Sequence, residues 1–345
     1  MAVVERLQPH TVKIYSLVDE DAIEGMIEAK QLLTPVRFDL FAKLYYIRNR
    51  VNNKYEAEKV YKEHIKAFNP DWKEPGRDDK LSFEDFLYSF NVLIDKFQQQ
   101  EFDSSCSLVP ITSDNVILDG AHRTSVLAYY DKKVGVAQFL NVEPKVDFDY
   151  IYFKDRGLSW NIMDIIANEM VLWLPDIYVA CLWPKMTDKH KAILSIKRNF
   201  KIVYNKTVKV NLTSFKRLIA KVYENQSWVN NLDSVNDKSL QCYGFNGQIE
   251  FIFFCGNSLD KVLSVKDEIR EMYGAGKHSL YITDNVTETR EIANSVLIET
   301  EREKWNKQLA VYGIHEKIAE RWFYFKKVQF INLKVMVARA IGWRR

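Results

Sequence analysis

Residues 116–130 read VILDGAHRTSVLAYY. The apolar run predicts a strand that ends at Asp119 and Gly120, and the residues after them predict a helix whose first turn holds His122, Arg123, Thr124 and Ser125. The opening turn of a helix leaves backbone N–H groups without carbonyl partners and carries the positive end of the helix dipole. An imidazole, a guanidinium and two hydroxyls beside such a terminus suit an anion, phosphate above all. Arg123 can meet phosphate oxygens in the bidentate way a lysine cannot. The same residues also fit a plain strand–turn–helix in which Asp119 caps the helix and Arg123 pairs with a surface acid.

Phosphoryl transfer would further need a base near an acceptor hydroxyl and cations to offset phosphate charge. Arg37, Asp39 and Lys43 are the best placed, since they are charges at the start of an otherwise apolar helix and Asp39 and Lys43 share one face at i, i+4. On that reading Asp39 takes the proton, Arg37 and Lys43 face phosphate, and His122 completes the catalytic group. The competing reading is a helix start with a surface ion pair. A second constellation lies at 266–279, where Lys266 and Arg270 share a helix face and Lys277 and His278 follow a glycine-rich loop. These four are assigned to acceptor binding, against the alternative of a solvated charge rim. The glycine spacing is wrong for a P-loop, and no helix follows the lysine.

The run from Phe83 to Phe139, with its amphipathic helix, the turn at 102–105, two strands and the box Leu118-Asp119-Gly120-Ala121-His122-Arg123, resembles the core of the ParB/sulfiredoxin superfamily. The resemblance implies that the box cradles nucleotide phosphates, with Lys80, Ser104 and Ser105 close to the nucleotide and Asp103 as a magnesium ligand. Sulfiredoxins need a cysteine immediately before the His-Arg pair, and Ala121 stands there, which excludes thiol repair. ParB partitioning proteins follow the box with a helix-turn-helix domain, whereas an α/β segment follows here. The Asp-Gly-x-His-Arg form is most similar to the branch of free serine kinases, which hold ATP or ADP and phosphorylate a small hydroxyl compound. With the Arg-Phe-Asp-Leu segment at 37–40, the chain also resembles ParB-like proteins of bacterial polysaccharide gene clusters. The implied activity is an ATP- and Mg2+-dependent kinase acting on a hydroxyl of a sugar, glycan or other small polar acceptor. The alternative is a ParB-type nucleotide-binding, DNA-associated protein without kinase activity.

The elements that would position these groups follow from periodicity and turn residues. A strand at 12–17, an amphipathic helix at 19–29 and helices at 40–50 and 57–68 precede a turn-rich stretch at 69–79. A helix at 82–97, capped by Ser82, leads to strands at 107–111 and 116–118, the helix at 121–130 and a strand at 134–142. Strands at 178–183, 201–204, 208–210, 249–254 and 279–283 then alternate with helices at 163–173, 214–223, 259–272 and 288–301. This is an α/β (α+β) chain. It divides into a nucleotide-binding domain at 1–145, an acceptor domain at 146–310 and a tail at 311–345.

The 345 residues are 28% charged and 47% hydrophobic, which places the chain among globular proteins of about two domains. No apolar stretch approaches the roughly 18 residues of a membrane span, and the start MAVVERLQPH lacks the apolar core of a signal peptide. A cytoplasmic location is expected. Cys106, Cys181, Cys242 and Cys255 have no metal or disulfide spacing and read as core residues in a reducing compartment. The net charge is +3, yet residues 321–345 carry seven cations and no acid, so the rest sums to −4. That balance speaks against DNA as a partner. Cations interleaved with Trp322, Phe323, Phe325 and Trp343 instead fit an anionic membrane surface at the inner face of the plasma membrane, or a terminal helix packed on the body.

Overall fold

The computed structural model describes residues 2–306 except 75, 77, 78, 245 and 275. The basic tail, and with it the expected membrane contact, lies outside the described residues, as does the side chain of Lys277. The fold is mixed, with thirteen α-helices and seven strands in two sheets among the described residues. No helix there is long and apolar enough to cross a membrane. Two compact units divide the chain at Pro175 and Asp176.

Unit 1 is built on a three-stranded sheet ordered β1 (Ala22–Glu28), β3 (Lys133–Phe139), β2 (Val109–Thr112). β1 pairs antiparallel with β3 and β2 parallel to it. The parallel pair is joined through α5 (Ala121–Tyr129), a βαβ crossover that sets α5 beginning just beyond the end of β2. The helix at the centre is α2 (Phe38–Asn49), buried at every residue from Phe38 to Ile47. It packs against α3 (Lys54–Phe68), α5 and α7 (Trp160–Trp173). Before α4 (Phe83–Gln99), the Ser82 hydroxyl accepts from the Asp85 N–H while Asp85 accepts from the Ser82 N–H, the capping box its sequence calls for.

Two early elements are exchanged relative to expectation. Residues 9–15 form helix α1 (Pro9–Tyr15), with Pro9 in its first turn and Ser16 left-handed at its end, although the β-branched Val12 and Ile14 suggested a strand. Residues 22–28 form β1, although Ile23, Met26 and Ile27 have helical spacing. Here seven residues of pairing with β3 override the local pattern. The expected strand at 116–118 shrinks to a single bridge between Ile117 and Ile111. Unit 1 also runs beyond residue 145, because α6 (Tyr150–Asp155) and α7 belong to its core. The Phe38 N–H donates to the Phe148 carbonyl, and the Phe153 ring packs on Phe38 and His64.

Unit 2 has a four-stranded antiparallel sheet ordered β5 (Lys201–Lys209), β6 (Gln248–Cys255), β4 (Ile177–Leu182), β7 (Leu280–Ile282). In chain order this is second, third, first, fourth, the split βαβ order of ferredoxin-like plaits, with α8 (Lys189–Asn199) and α11 (Leu259–Tyr273) as the crossovers. Ala180, Leu182, Ile252 and Phe254 face Ile196, Val262 and Ile269 of those helices. The expected strands at 201–204 and 208–210 are one strand, irregular between Ile202 and Tyr204. Between β5 and β6 the chain inserts α9 (Leu212–Val222) and α10 (Leu232–Cys242), and it closes with α12 (Val286–Leu297) and α13 (Glu299–Trp305). Cys181 and Cys242 are buried as expected, but Cys106 is exposed in the turn after α4.

Candidate functional site

The α5 start is reached through Gly120, whose φ of 84° lies in the left-handed region. A Cβ there would also sit a tight 3.1 Å from both Arg123 Nη2 and Val109 Cγ2, which adds to the strain that the left-handed backbone already imposes on any other residue. No side chain caps α5, and its first N–H groups stay available to a ligand. Asp119 therefore does not act as the cap. Its Oδ2 is buried and has no hydrogen-bond partner in the protein. Arg123 donates to the Ser107 hydroxyl across the strand end.

This helix start opens into a cavity of about 600 Å³ in unit 1, a size that suits a small-molecule ligand. Asp119 and Gly120 line it from the turn into α5, His122 and Arg123 from α5 itself, Arg37, Asp39 and Lys43 from α2 and its N-cap, and Lys80 from the loop before α4. Residues far apart in the sequence thus meet at one cavity. Five lysine and arginine side chains (Arg37, Lys43, Lys80, Arg123, Lys145) line it with three acids (Asp39, Glu74, Asp119). Phe68, Phe86, Phe90 and Phe148 give the cavity an aromatic wall.

The centre of the charge cluster is Asp39, which is 1% exposed, with Arg37 at 5% and Lys43 at 3%. Arg37 grips the carboxylate with both arms, Nε to Oδ1 at 2.8 Å and Nη2 to Oδ2 at 2.9 Å, and its Nη1 donates to the Ile117 carbonyl at 2.6 Å. Lys43 Nζ donates to Oδ2 at 3.0 Å. Burial alone would raise the Asp39 carboxyl, but the charges of Arg37 and Lys43 and the Arg37 hydrogen bonds hold it far below the ordinary carboxylate range. A carboxylate held that low is a poor proton acceptor. The geometry makes Asp39 a buried counter-ion to Arg37 and Lys43, an arrangement that counts against the proton-accepting part expected of it. The surface ion pair is ruled out by the burial.

His122 lies in this cluster, with Nε2 and the Tyr61 hydroxyl 2.9 Å apart and its ring edge-on to Phe90. Burial, then the charges of Lys43 and Lys80, push it well below its ordinary range, so it is a neutral hydrogen-bonding group at pH 7. Lys80 is 5% exposed, pairs with Glu74 and sits over the Phe86 ring, so it belongs to the cavity and not to a solvated loop.

Several expected residues fall elsewhere. Thr124 and Ser125 are fully buried on the core side of α5, where Ser125 Oγ donates to the Ala121 carbonyl at 2.9 Å. Their spacing placed them in the first turn but on the wrong side of it. Asp103 is exposed and accepts from the Ser105 N–H and hydroxyl at 2.9 and 2.6 Å and from Cys106, closing its own turn. Asp103, Ser104 and Ser105 do not line the cavity. Among the described residues no group of three or more His, Cys, Asp or Glu could by itself hold a metal. A magnesium ion that arrives with phosphates needs only one or two carboxylates, and the unpartnered Asp119 Oδ2 fits that need where Asp103 does not.

In unit 2, Lys266 is 5% exposed and donates to the Ile282 carbonyl at 2.8 Å and Asp284 at 2.6 Å. Arg270 pairs with Asp267 along the same helix. His278 Nδ1 lies 3.9 Å from Cys242 Sγ. Lys266 thus supports the sheet.

The sequence reading missed His64, Lys145 and the α1 wall of Gln8, His10 and Thr11. His64 had a signal, since it falls in the apolar stripe of Val60, Tyr61, Ile65 and Phe68 on α3. No protein-family model, no curated protein and no solved structure matches the chain.

Proposed function

We propose that unit 1 binds ATP or ADP with Mg2+ through the nucleotide phosphates and acts as a phosphotransferase with an alcohol group as acceptor. The observation that carries this reading is the convergence of five cations and the uncapped start of α5 on one cavity of about 600 Å³. The phosphates would lie against the N–H groups at the α5 start, with Arg123, Lys43 and Arg37 offsetting their charge. Asp119 would hold the magnesium, which neutralises phosphate charge when bound. The aromatic wall suits a nucleobase. Phosphoryl transfer through a loose transition state depends mainly on positioning and charge stabilisation, so the reading survives without a strong base. The sugar or glycan acceptor, like the relationship to the ParB/sulfiredoxin superfamily, belongs to this proposal.

The complete engagement of Asp39 favours a second reading, nucleotide binding without phosphoryl transfer. One pair of experiments separates the two. Calorimetric titration of ADP with Mg2+ tests binding, and 31P NMR of ATP mixed with the protein and a panel of polyols and glycans tests transfer. Binding with a new phosphate monoester signal supports the kinase, and binding alone supports the second reading. No binding overturns both.

A further inference from the structure

His64 of α3 is fully buried, yet no protein group hydrogen-bonds either Nδ1 or Nε2. Its ring lines the cavity of unit 1 beside Arg37, Asp39 and Lys43. The surroundings are otherwise aromatic, with ring centres of Phe153 and Phe68 at 5.3 and 6.4 Å. A leucine or phenylalanine would pack there without leaving two buried polar atoms unsatisfied, which is unfavourable for any imidazole. A partner received by the cavity accounts for the histidine.

We propose that His64 is a phosphate-binding residue of this cavity, which takes up one proton from solvent as the anion seats and then donates a hydrogen bond to a phosphate oxygen. The inference rests on the phosphate-binding reading given above. The charged and titratable groups around the ring are Arg37, Asp39 and Lys43 from α2 and its N-cap, His122 from α5 and Tyr61 on α3 itself, while Tyr152 of α6 packs on Phe68 and Phe153. Glu169 of α7 is engaged by Arg48, and Lys80 by Glu74. Burial, then Lys43, with Asp39 opposing, keeps the imidazole neutral. A phosphate dianion placed among Arg37, Lys43 and the ring reverses the local field and favours the imidazolium. A terminal phosphate carries two charges and a phosphodiester one, so the site prefers a terminal phosphate.

Calorimetry of ADP binding to the full chain, repeated at about pH 7.5 in buffers of different ionisation heat, counts the protons. A phosphate monoester is almost fully ionised there, with a second pKa of about 6, so net uptake belongs to the protein. We expect uptake approaching one proton in the native protein, little in His64→Asn or His64→Gln, and an affinity that weakens by up to about tenfold per pH unit as pH rises. Long-range 15N–1H spectra of the histidine rings read the same event without a variant. Both His64 nitrogens should move to the imidazolium pattern on adding ADP. A ring that stays neutral while ADP binds, or uptake that persists in both variants, overturns the inference and leaves the phosphate-binding reading intact. Failure of the native protein to bind ADP removes both.

Discussion

Lys43 in unit 1 and Lys266 in unit 2 are each at most 5% exposed, and each ion-pairs with an aspartate. Among the described residues, Lys266 shares its carboxylate with no second cation. Its ammonium meets one carbonyl and one carboxylate, Tyr281 lies under it, and strands pack around it. Lys43 also meets one carbonyl, that of Asp39 at 3.3 Å, but it shares its single carboxylate with Arg37, and both cations line a cavity where positive charge outnumbers negative. Buried charge alone therefore does not mark a site. An excess of one sign beside open volume does, because burying an uncompensated charge is unfavourable unless a ligand completes it.

The largest test of that contrast is Asp39→Ala. It strands Arg37 and Lys43 together in the core of unit 1, and a loss of about 3–5 kcal/mol in urea unfolding is expected. Retention of native stability would mean that the cluster is hydrated and not a buried triad. The next largest effect falls on binding. Arg123→Ala should weaken ADP by roughly 1.5–3 kcal/mol, the range for a charge-assisted hydrogen bond, while its melting temperature stays close to native. Equal affinity in the variant would move the phosphates away from α5.

Acid should reveal the two histidines. Both His64 and His122 have folded pKa values below the ordinary 6.5, so their neutral forms favour the folded state. That contribution is complete above about pH 6.5 and is lost as pH falls, by up to about 1.4 kcal/mol per pH unit for each ring. The Asp39 contribution has the same sign and disappears lower, below the ordinary carboxylate value of 3.8. Urea midpoints measured from pH 8 to pH 5 should therefore fall below about 6.5, and His64→Gln should flatten the slope. The smallest effect is expected for Lys266→Met, since Asp284 is 45% exposed and can turn to water. Stability should change by about 1 kcal/mol or less and ADP affinity not at all. A loss of nucleotide binding in this variant would return unit 2 to the site.

The helix at 121–129 was legible because Gly120 marks the turn before it, whereas the strand expected at 116–118 was not formed beyond one bridge. The pairing of Asp39 with Lys43 was legible from spacing as well. Its burial was not, because a helix start reads as surface until neighbours are known, and the apolar residues of α2 run all round it. Thr124 and Ser125 show the limit of counting within one turn, since about 100° of rotation per residue carries them from cavity to core. Lys145 and His10 carry no signal in their own segments and reach the cavity only through tertiary folding. The exchange of helix and strand at 9–28 arises because both segments are short, and β3 decides the second of them through pairing that no local window contains.

On the proposed reading, phosphates sit at the start of α5 in unit 1. A crystal structure of the full chain with ADP and Mg2+ tests it most directly. Phosphate oxygens should lie about 3 Å from the backbone N–H groups of residues 121–123, with Lys43 and Arg123 in contact and magnesium on Asp119. Phosphates bound to unit 2, or a nucleotide held in unit 1 by its base alone with the α5 start untouched, would contradict it.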